Sequence, residues 1–283
     1  MRMSGEETVF QLIGGTAPLI FLPSQVNGMG PYSFILDSGA THCLISPGLA
    51  ANLGIHSESE EQAFGGGGAV RLGRARADSV AVGLAQQEQT EFIITQDLER
   101  IGAALKVTVE GAIGFSFLKD FRVTLDYQRK VLRLAKSPTD GTNSGTPVSS
   151  NPFTLAPSEP LILVQAFANG QGPFQFTVDT AAGRSVISPK LAARLDVQSE
   201  KAITGTGIGG HIPMGRAKLD SLAVGDAVVP DHTVVIGEFL DAISAAAGAA
   251  LDGIVGNNFL SQFHVTLDYL HGRLSLRSNY LPD

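Results

Sequence analysis

The chain repeats itself once at a fixed offset of 142 residues, and this duplication constrains its fold more than any other feature. Of the 38 residue pairs formed by 18–55 and 160–197, 17 are identical, and 12 of 24 pairs match between 111–134 and 253–276. The register holds without a gap, and each copy is the size of a domain rather than of a solenoid repeat. The sequence therefore predicts two similar lobes within one chain of 283 residues.

The join between the copies is marked by its composition. Residues 137–151 hold 13 Ser, Thr, Pro, Gly or Asn residues in 15 positions. Such a stretch buries too little apolar surface to order itself. We therefore expect a first lobe at 1–136, a linker at 137–151 and a second lobe at 152–283.

Each copy is predicted to be mainly β. Glycine makes up 33 of the 283 residues, an excess that favours turns and bulges. Short apolar runs such as 19–22 and 32–36 are bounded by Asn-Gly and Gly-Pro turn signals. Ser-Pro pairs at 46–47 and 188–189 are typical of a helix start, and we expect further helices at 97–105 and from 239 to about 250. Each lobe is thus expected to contain about two short helices.

Two duplicated aspartates carry the candidate chemistry. Asp37 and Asp179 each follow an apolar run, and a carboxylate held between core strands needs hydrogen bonds or a partner. Two lobes packed about a pseudo-twofold axis bring equivalent residues face to face. Two close carboxyls hold one proton between them, which suits general acid and general base work on one water. The two motifs read Asp37-Ser38-Gly39-Ala40 and Asp179-Thr180-Ala181-Ala182.

These motifs give the chain a family resemblance. The first resembles the Asp-Thr/Ser-Gly-Ala signature of aspartic proteases, and glycine-rich segments at 65–73 and 205–215 stand where that family has a β-hairpin flap. The chain is most similar to retropepsin-like proteases, with the usual homodimer fused into a single chain, and the pepsin-like bilobal arrangement is its architectural relative. An apolar-apolar-Gly element follows in each copy, as Ala112-Ile113-Gly114 and Ile254-Val255-Gly256.

The resemblance implies a mainly β, bilobal acid-protease fold with two pseudo-twofold-related, barrel-like lobes, each with a flap hairpin. It implies Asp37 and Asp179 as a catalytic dyad that activates a water to hydrolyse a peptide bond, with Ser38 and Thr180 bracing the two loops. No metal or organic cofactor is expected. The expected partner is a peptide or protein substrate, and a monomer would hold both half-sites. Substrate contacts are expected at Gly39, Ala181, Gly66, Gly67, Gly209 and Gly210.

One position departs from the family pattern, because Ala181 stands where the signature has glycine. Alanine costs little there if its φ is negative and more if its φ is positive. The methyl group would also point close to where the family binds the substrate backbone. An aspartic endopeptidase is the main prediction. A peptide-binding pseudoprotease and a purely structural β-protein stay open as alternatives.

Composition and the other motifs argue against different classes of function. Twenty basic against 27 acidic residues give a net charge of −7, without the excess of positive charge expected of a nucleic-acid binder. No apolar run approaches the ~18 residues of a membrane span. The six histidines show no metal-ligand spacing. Cys43 is expected to be a buried strand residue, and the duplicated Asp126 and Asp268 are expected to lie in turns. No export signal is visible at 1–7, so the compartment stays open.

Overall fold

The computed structural model describes residues 7–65, 68–136 and 149–279. The described chain is mainly β, and its two halves carry the same elements in the same order. In the first half the strands are β1 Glu7–Val9, β2 Gln11–Ile13, β3 Leu19–Val26, β4 Met29–Leu36, β5 Cys43–Ile45, β6 Ser59–Gly65, β7 Gly68–Val82, β8 Ala85–Ile94, β9 Gly111–Ile113, β10 Arg122–Asp126 and β11 Val131–Ala135, and the helices are α1 Pro47–Asn52, α2 Asp97–Leu105 and α3 Phe115–Leu118.

The second half repeats these elements 142 residues later, with bounds that agree to within one residue. This agreement confirms the duplicated, mainly β fold that the sequence predicts. Its strands are β12 Ser149–Pro152, β13 Thr154–Leu155, β14 Ile162–Ala168, β15 Gln171–Val178, β16 Ser185–Ile187, β17 Lys201–Gly207, β18 Gly210–Val224, β19 Ala227–Ile236, β20 Gly253–Val255, β21 Phe263–Asp268 and β22 Arg273–Ser278, and its helices are α4 Pro189–Arg194, α5 Leu240–Ala247 and α6 Asn257–Leu260.

Each half forms its own eight-stranded sheet that curls back on itself. The first sheet runs β2-β3-β4-β9-β5-β8-β7-β6, and a further pairing of β3 with β7 closes it into a barrel-like lobe. The second runs β13-β14-β15-β20-β16-β19-β18-β17, closed in the same way by β14 and β18. Because the order is identical, each strand of one sheet has a structural equivalent in the other.

A third sheet joins the two halves. Its order is β1-β11-β10-β21-β22-β12, so that each half contributes three strands. The strands β10 and β21 pair antiparallel with Thr124 opposite Thr266, and these two hydroxyl oxygens lie 3.3 Å apart. Thr266 is the repeat equivalent of Thr124, so the pseudo-twofold axis passes between them. One buried apolar cluster also runs through both halves, from Phe10 to Leu276.

The predicted helices form where local signals start and stop them. The Ser46 side chain accepts a hydrogen bond from the Leu49 amide at 3.2 Å, with proline in the first turn, and α4 has the same cap. The helix predicted to run to about residue 250 ends earlier, at Ala247, because Gly248 adopts a left-handed φ of 66° and caps it. A third, four-residue helix follows Gly114 and Gly256, in addition to the two expected per lobe.

The structure describes only the last three residues of the predicted linker. Residues 137–148 lie outside the described residues, whereas Ser149–Pro152 forms β12 and pairs with β22. Residues 149–151 of the predicted linker thus belong to a strand of the second half, while the domain bounds stay a prediction. The polar composition of these three residues indicated an unstructured segment, but the backbone of an edge strand is satisfied by its neighbour whatever its side chains. Among the described residues, no helix is both long and apolar enough to cross a membrane.

Candidate active site

The two aspartates lie at the ends of equivalent strands. Asp37 follows β4, and its amide donates to the Ile113 carbonyl at 3.0 Å, while the Asp179 amide donates to Val255 at the same distance. Each carboxylate then accepts a hydrogen bond from the amide two residues on, from Gly39 at 2.9 Å and from Ala181 at 2.7 Å. Both carboxylates are thus aimed by their own loops, and both residues are partly buried.

Reciprocal hydrogen bonds tie the two aspartate loops together. The Ser38 amide donates to Thr180 Oγ1 at 3.0 Å, and the Thr180 amide donates to Ser38 Oγ at 3.1 Å. Each hydroxyl then donates across to the opposite strand, to the Val178 carbonyl at 3.0 Å and to the Leu36 carbonyl at 2.8 Å. Because both side chains are buried, these four bonds are shielded from water and fix one loop against the other.

The strand β9 passes directly under the first loop, which explains the glycine that follows it. The amide of Phe115 donates to the Ala40 carbonyl at 2.8 Å, and a Cβ placed on Gly114 would lie 2.2 Å from the His42 carbonyl oxygen. Gly256 has the same relation to Ala182, whose carbonyl oxygen would be 2.6 Å from an added Cβ. Glycine at these two positions is therefore required by the close approach of two backbones.

The loops bring the two carboxyls close enough to affect each other. A Cβ built on Gly39 would lie 2.7 Å from Asp179 Cγ, so the Asp179 carboxyl rests against the same glycine whose amide holds Asp37. Burial, reinforced by the charge of Asp179, raises the pKa of Asp37 to about 8, and burial also raises the pKa of Asp179. The pair therefore takes up protons as a unit well above the usual range of a carboxyl group.

Ala181 is accommodated without backbone strain. Its φ is not among the positive φ values of the described residues, so the alanine adopts an ordinary backbone conformation. It packs against an apolar cluster of the first lobe that includes Ile35 and Leu98. The motif is nevertheless asymmetric, because an alanine occupies the position that in the first loop must be glycine to admit the Asp179 carboxyl.

The second glycine-rich hairpin, formed by β17 and β18, reaches across to the first lobe. Gly209 lies at its tip, and its amide donates to Asp97 Oδ2 at 3.2 Å. The neighbouring Ile208 packs against the same apolar cluster of the first lobe as Ala181. Gly210 follows with a φ of 117°, which only glycine adopts easily. In the first hairpin, Gly66 and Gly67 lie outside the described residues.

Two residues at this site carry no signal in the sequence repeat. Asp97 is buried at the start of α2, where Thr95 donates to it and Arg100 pairs with it. Its repeat equivalent is Phe239, so the duplication gives no hint of its role. Asn257 is fully buried and donates to the Thr180 carbonyl at 2.5 Å.

Asn257 extends this network away from the dyad. It accepts a hydrogen bond from the Tyr127 hydroxyl at 2.7 Å and donates to the Pro18 carbonyl at 3.0 Å. It therefore connects the second loop to two segments of the first half. Its repeat equivalent is Phe115, and only an unusual polar pair, Asn257-Asn258, after an apolar strand could have indicated it.

The duplicated turn aspartates and the buried cysteine have the structural roles predicted from the sequence. Asp126 Oδ1 accepts the Arg129 amide at 2.8 Å and Asp268 Oδ1 accepts the His271 amide at 3.1 Å, so both aspartates cap turns. Cys43 is fully buried in β5, and burial raises the pKa of its thiol. In the part of the chain that the structure describes, no three His, Cys, Asp or Glu side chains converge as metal ligands.

Comparison with known proteins agrees with this geometry. A family model described as aspartyl protease matches the chain twice, at residues 22–117 and 164–259. The two matches are offset by 142 residues, the spacing of the internal repeat, and together they cover more than half of the chain. Each match contains one aspartate loop and the glycine-ending strand beneath it. A search of curated proteins gave no match.

Proposed function

Because the chain belongs to the aspartyl protease family, we propose that it is a single-chain endopeptidase with Asp37 and Asp179 as its dyad. The observation that carries this proposal is the pair of loops locked by Ser38 and Thr180, which holds two carboxyls with raised pKa values side by side. A raised pKa lets one carboxyl stay protonated while its neighbour is ionised. The proposed substrate is a peptide or protein, and each molecule works as a monomer.

In the proposed reaction the two carboxyls divide the work on one water. The ionised carboxylate takes a proton from the water as its oxygen attacks the scissile carbonyl carbon. The protonated carboxyl donates a hydrogen bond to the carbonyl oxygen and stabilises the tetrahedral intermediate. Breaking the C–N bond then returns a proton to the leaving nitrogen, so one peptide bond and one water yield a carboxylic acid and an amine.

The two glycine-rich hairpins are proposed to act as flaps over an extended peptide. The contact of Gly209 with Asp97 supports this role, since it carries the tip of the second hairpin across to the opposite lobe. A hairpin in that position adds backbone hydrogen bonds to a bound strand and excludes water from the reacting atoms.

Replacing either aspartate by asparagine tests the dyad. We expect Asp37→Asn and Asp179→Asn each to lower kcat/KM by at least about 10²-fold on a fluorogenic peptide library, since a general acid–base group contributes about 10²–10⁴-fold. Assays from pH 3 to 9 should give a bell-shaped profile for the unmutated chain. Asp126→Asn, which alters a carboxylate in a turn, is the matched control. Full activity in either dyad variant would contradict the proposal.

A second candidate function rests on one observation, the asymmetry at Ala181. Since Gly39 leaves room for the Asp179 carboxyl while Ala181 brings a methyl group to the equivalent place, the cleft could bind peptides without turning them over. Peptide binding measured by fluorescence anisotropy, without cleavage at any pH, would favour this function. Turnover that appears only in Ala181→Gly would assign the loss of activity to the methyl group.

A further inference from the structure

A cavity of about 470 Å³ lies beside the second aspartate loop, where the two halves meet. Its lining includes Arg184, five residues after Asp179, and the second-half residues Arg216, Asp231, His232, Thr233, Asn258 and Gln262. Thr16 of the first half closes one side. We refer to it as the seam cavity. It takes no part in the proposed dyad chemistry.

The equivalent positions of the first half are filled by bridging side chains. Glu91 lies 3.3 Å from Arg76 and 3.7 Å from His42, and Gln87 donates to Asp120 at 2.6 Å. The cavity that His42, Arg74 and Glu91 help to line in the first half measures about 30 Å³.

The second half lacks three carboxylates that the first half carries at the equivalent positions. Glu88, Glu91 and Asp120 of the first half correspond to Pro230, Thr233 and Gln262. A single acid is gained in return, Asp231, and it pairs with Lys218 at 3.0 Å. Across the cavity positions, removal of three acidic side chains therefore accompanies the opening of the space.

One fixed positive charge has been added at the same time. Arg184 stands where the first half has His42, and its Nη2 donates to Thr16 Oγ1 at 2.5 Å. Among the described residues, no carboxylate lies within ion-pair distance of Arg184. Arg216 lies 3.6 Å from Glu200, a pair in which both side chains are about half exposed. Arginine presents several donors in a planar fork, so one hydroxyl leaves most of them unused.

The remaining polar groups suit an acceptor ligand. The Thr233 hydroxyl and the Gln262 amide form no side-chain hydrogen bond within the described chain. Asn258 is already occupied, since it accepts from Ser185 and donates to the Thr233 carbonyl. Burial lowers the pKa of His232 to about 4, so its ring is neutral near pH 7. Free donors with one unmatched arginine therefore face an empty space large enough for several heavy atoms.

From these observations we propose that the seam cavity binds a carboxylate, with Arg184 as its bidentate partner and Thr233 and Gln262 as further donors. Arginine–carboxylate pairs of this kind are among the stronger polar contacts in proteins. The carboxylate has two sources that the experiment separates: an acidic side chain of a peptide substrate, or a free organic acid. The chemistry of recognition is the same in both cases.

Binding of succinate tests the site directly. Isothermal titration calorimetry at low ionic strength is expected to show one site for succinate and none for its neutral analogue succinamide. Arg184→Gln and Thr233→Glu should each weaken succinate binding at least tenfold, the second because it restores the carboxylate found in the first half. His42→Gln, at the position of the first half that is equivalent to Arg184, should leave succinate binding within threefold of that of the unmutated chain. Thermal midpoints check that each variant is folded.

A second arm distinguishes the two sources of the carboxylate. Peptides that carry Glu are compared with their Gln counterparts in the unmutated chain and in Arg184→Gln. A preference for Glu that Arg184→Gln removes, and that succinate inhibits, identifies the ligand as part of the substrate. Equal cleavage of both peptides, together with succinate binding, identifies a free acid.

Two results would overturn the proposal. One is succinate binding that Arg184→Gln leaves unchanged. The other is the absence of both succinate binding and a Glu preference in the unmutated chain. Because the calorimetry can be repeated in Asp37→Asn, the site can be assessed even if the chain has no protease activity.

Discussion

The asymmetry between Gly39 and Ala181 leads to a prediction at the scale of single residues. A Cβ on Gly39 would lie 2.7 Å from Asp179 Cγ and 2.9 Å from its Oδ2, closer than real Cβ contacts allow. We expect Gly39→Ala to push the Asp179 carboxyl out of place and to lower kcat/KM at least tenfold, because small displacements of catalytic groups cost large factors in rate. Steady-state cleavage of a fluorogenic peptide measures the effect.

The reverse substitution is the matched control. Ala181 has an ordinary φ and its methyl packs against apolar side chains of the first lobe. Ala181→Gly should therefore retain activity, while its thermal midpoint falls by a few degrees from the lost methyl contact and the added freedom of the unfolded chain. If Gly39→Ala and Ala181→Gly had equal activity, the steric argument would be contradicted.

The raised pKa values of the dyad predict how stability depends on pH. A carboxyl whose pKa is higher in the folded state than in the unfolded one favours folding in its protonated form. Its ionisation therefore costs stability as the pH rises from about 4, the unfolded pKa, to about 8, the folded pKa of Asp37. We expect Asp37→Asn to raise the thermal midpoint by several degrees at pH 8 and to leave it nearly unchanged at pH 4.

Differential scanning calorimetry across this range checks the prediction. The turn variant Asp126→Asn should show no such gain at pH 8, since Asp126 holds the Arg129 amide. If Asp37→Asn raised the thermal midpoint more at pH 4 than at pH 8, the pH dependence would have the wrong sign. It would exclude a raised pKa for the pair.

Single residues differ in how far the sequence could predict them. Asp37, Asp179, Ser38 and Thr180 stand out because duplication places each of them twice in the same local pattern. Asp97 and Asn257 do not, since their equivalents are the apolar residues Phe239 and Phe115. Their roles depend on contacts between the halves, and a pattern that compares each half with the other cannot detect a residue used by only one of them.

At the scale of elements, the second hairpin and the helix α2 form a contact that can be tested. The Gly209 amide donates to the buried carboxylate of Asp97, and a hydrogen bond to a charged group contributes about 1.5–3 kcal/mol. We expect Asp97→Ala to loosen the hairpin and to raise KM by about tenfold with a smaller change in kcat, because a tenfold change in binding corresponds to about 1.4 kcal/mol.

Two variants separate this contact from a general effect on the helix. Asp97→Asn keeps an acceptor oxygen and should restore most of the affinity. Glu99→Ala removes an exposed carboxylate from the same first turn of α2 and should leave KM unchanged. Limited proteolysis at the hairpin gives an independent readout. If Asp97→Ala leaves both KM and hairpin cleavage unaltered, the contact does not hold the hairpin.

The sequence predicts elements well where a local signal decides them. The caps at Ser46 and Ser188 confirm this, since serine, proline and a short apolar face act within one turn. It predicts poorly where a neighbouring strand decides, as at Ser149, which joins a sheet despite its polar surroundings. The helix α5 also ends at Ala247 rather than near residue 250, because Gly248 adopts a left-handed conformation and caps it.

At the scale of the whole molecule, the duplication predicts two lobes but not the sheet that they share. Strands β10 and β21 repeat the same sequence, Val-Thr-Leu-Asp. β10 alternates buried and less buried residues, whereas Val265, Thr266 and Leu267 of β21 are all buried. Their pairing with each other, with Thr124 opposite Thr266, depends on the packing of complete lobes. Each half therefore has one edge strand, β10 or β21, whose free side pairs with the edge strand of the other half.

Dividing the chain within 137–148 tests whether association of the halves needs the covalent link. The described residues already join the halves through the shared sheet, the Ser38–Thr180 bonds and the buried Asn257. We expect two chains, 1–142 and 143–283, to copurify when coexpressed and to show the peptidase activity of the intact chain at high concentration. The activity should fall on dilution, because the linker supplies an effective concentration that separate chains lack.

The same divided protein shows whether both half-sites are needed. Coexpression of 1–142 with an Asp179→Asn form of 143–283 should give a complex of the same size and stability without activity. The 143–283 chain alone should be inactive, since it lacks Asp37 and its own aspartate loop has no Ser38 to bond. Activity that persists in the Asp179→Asn complex would require another assembly, such as two copies of the first half paired through β10. Size-exclusion chromatography with both chains resolved by mass would distinguish that assembly from the complex of the two halves.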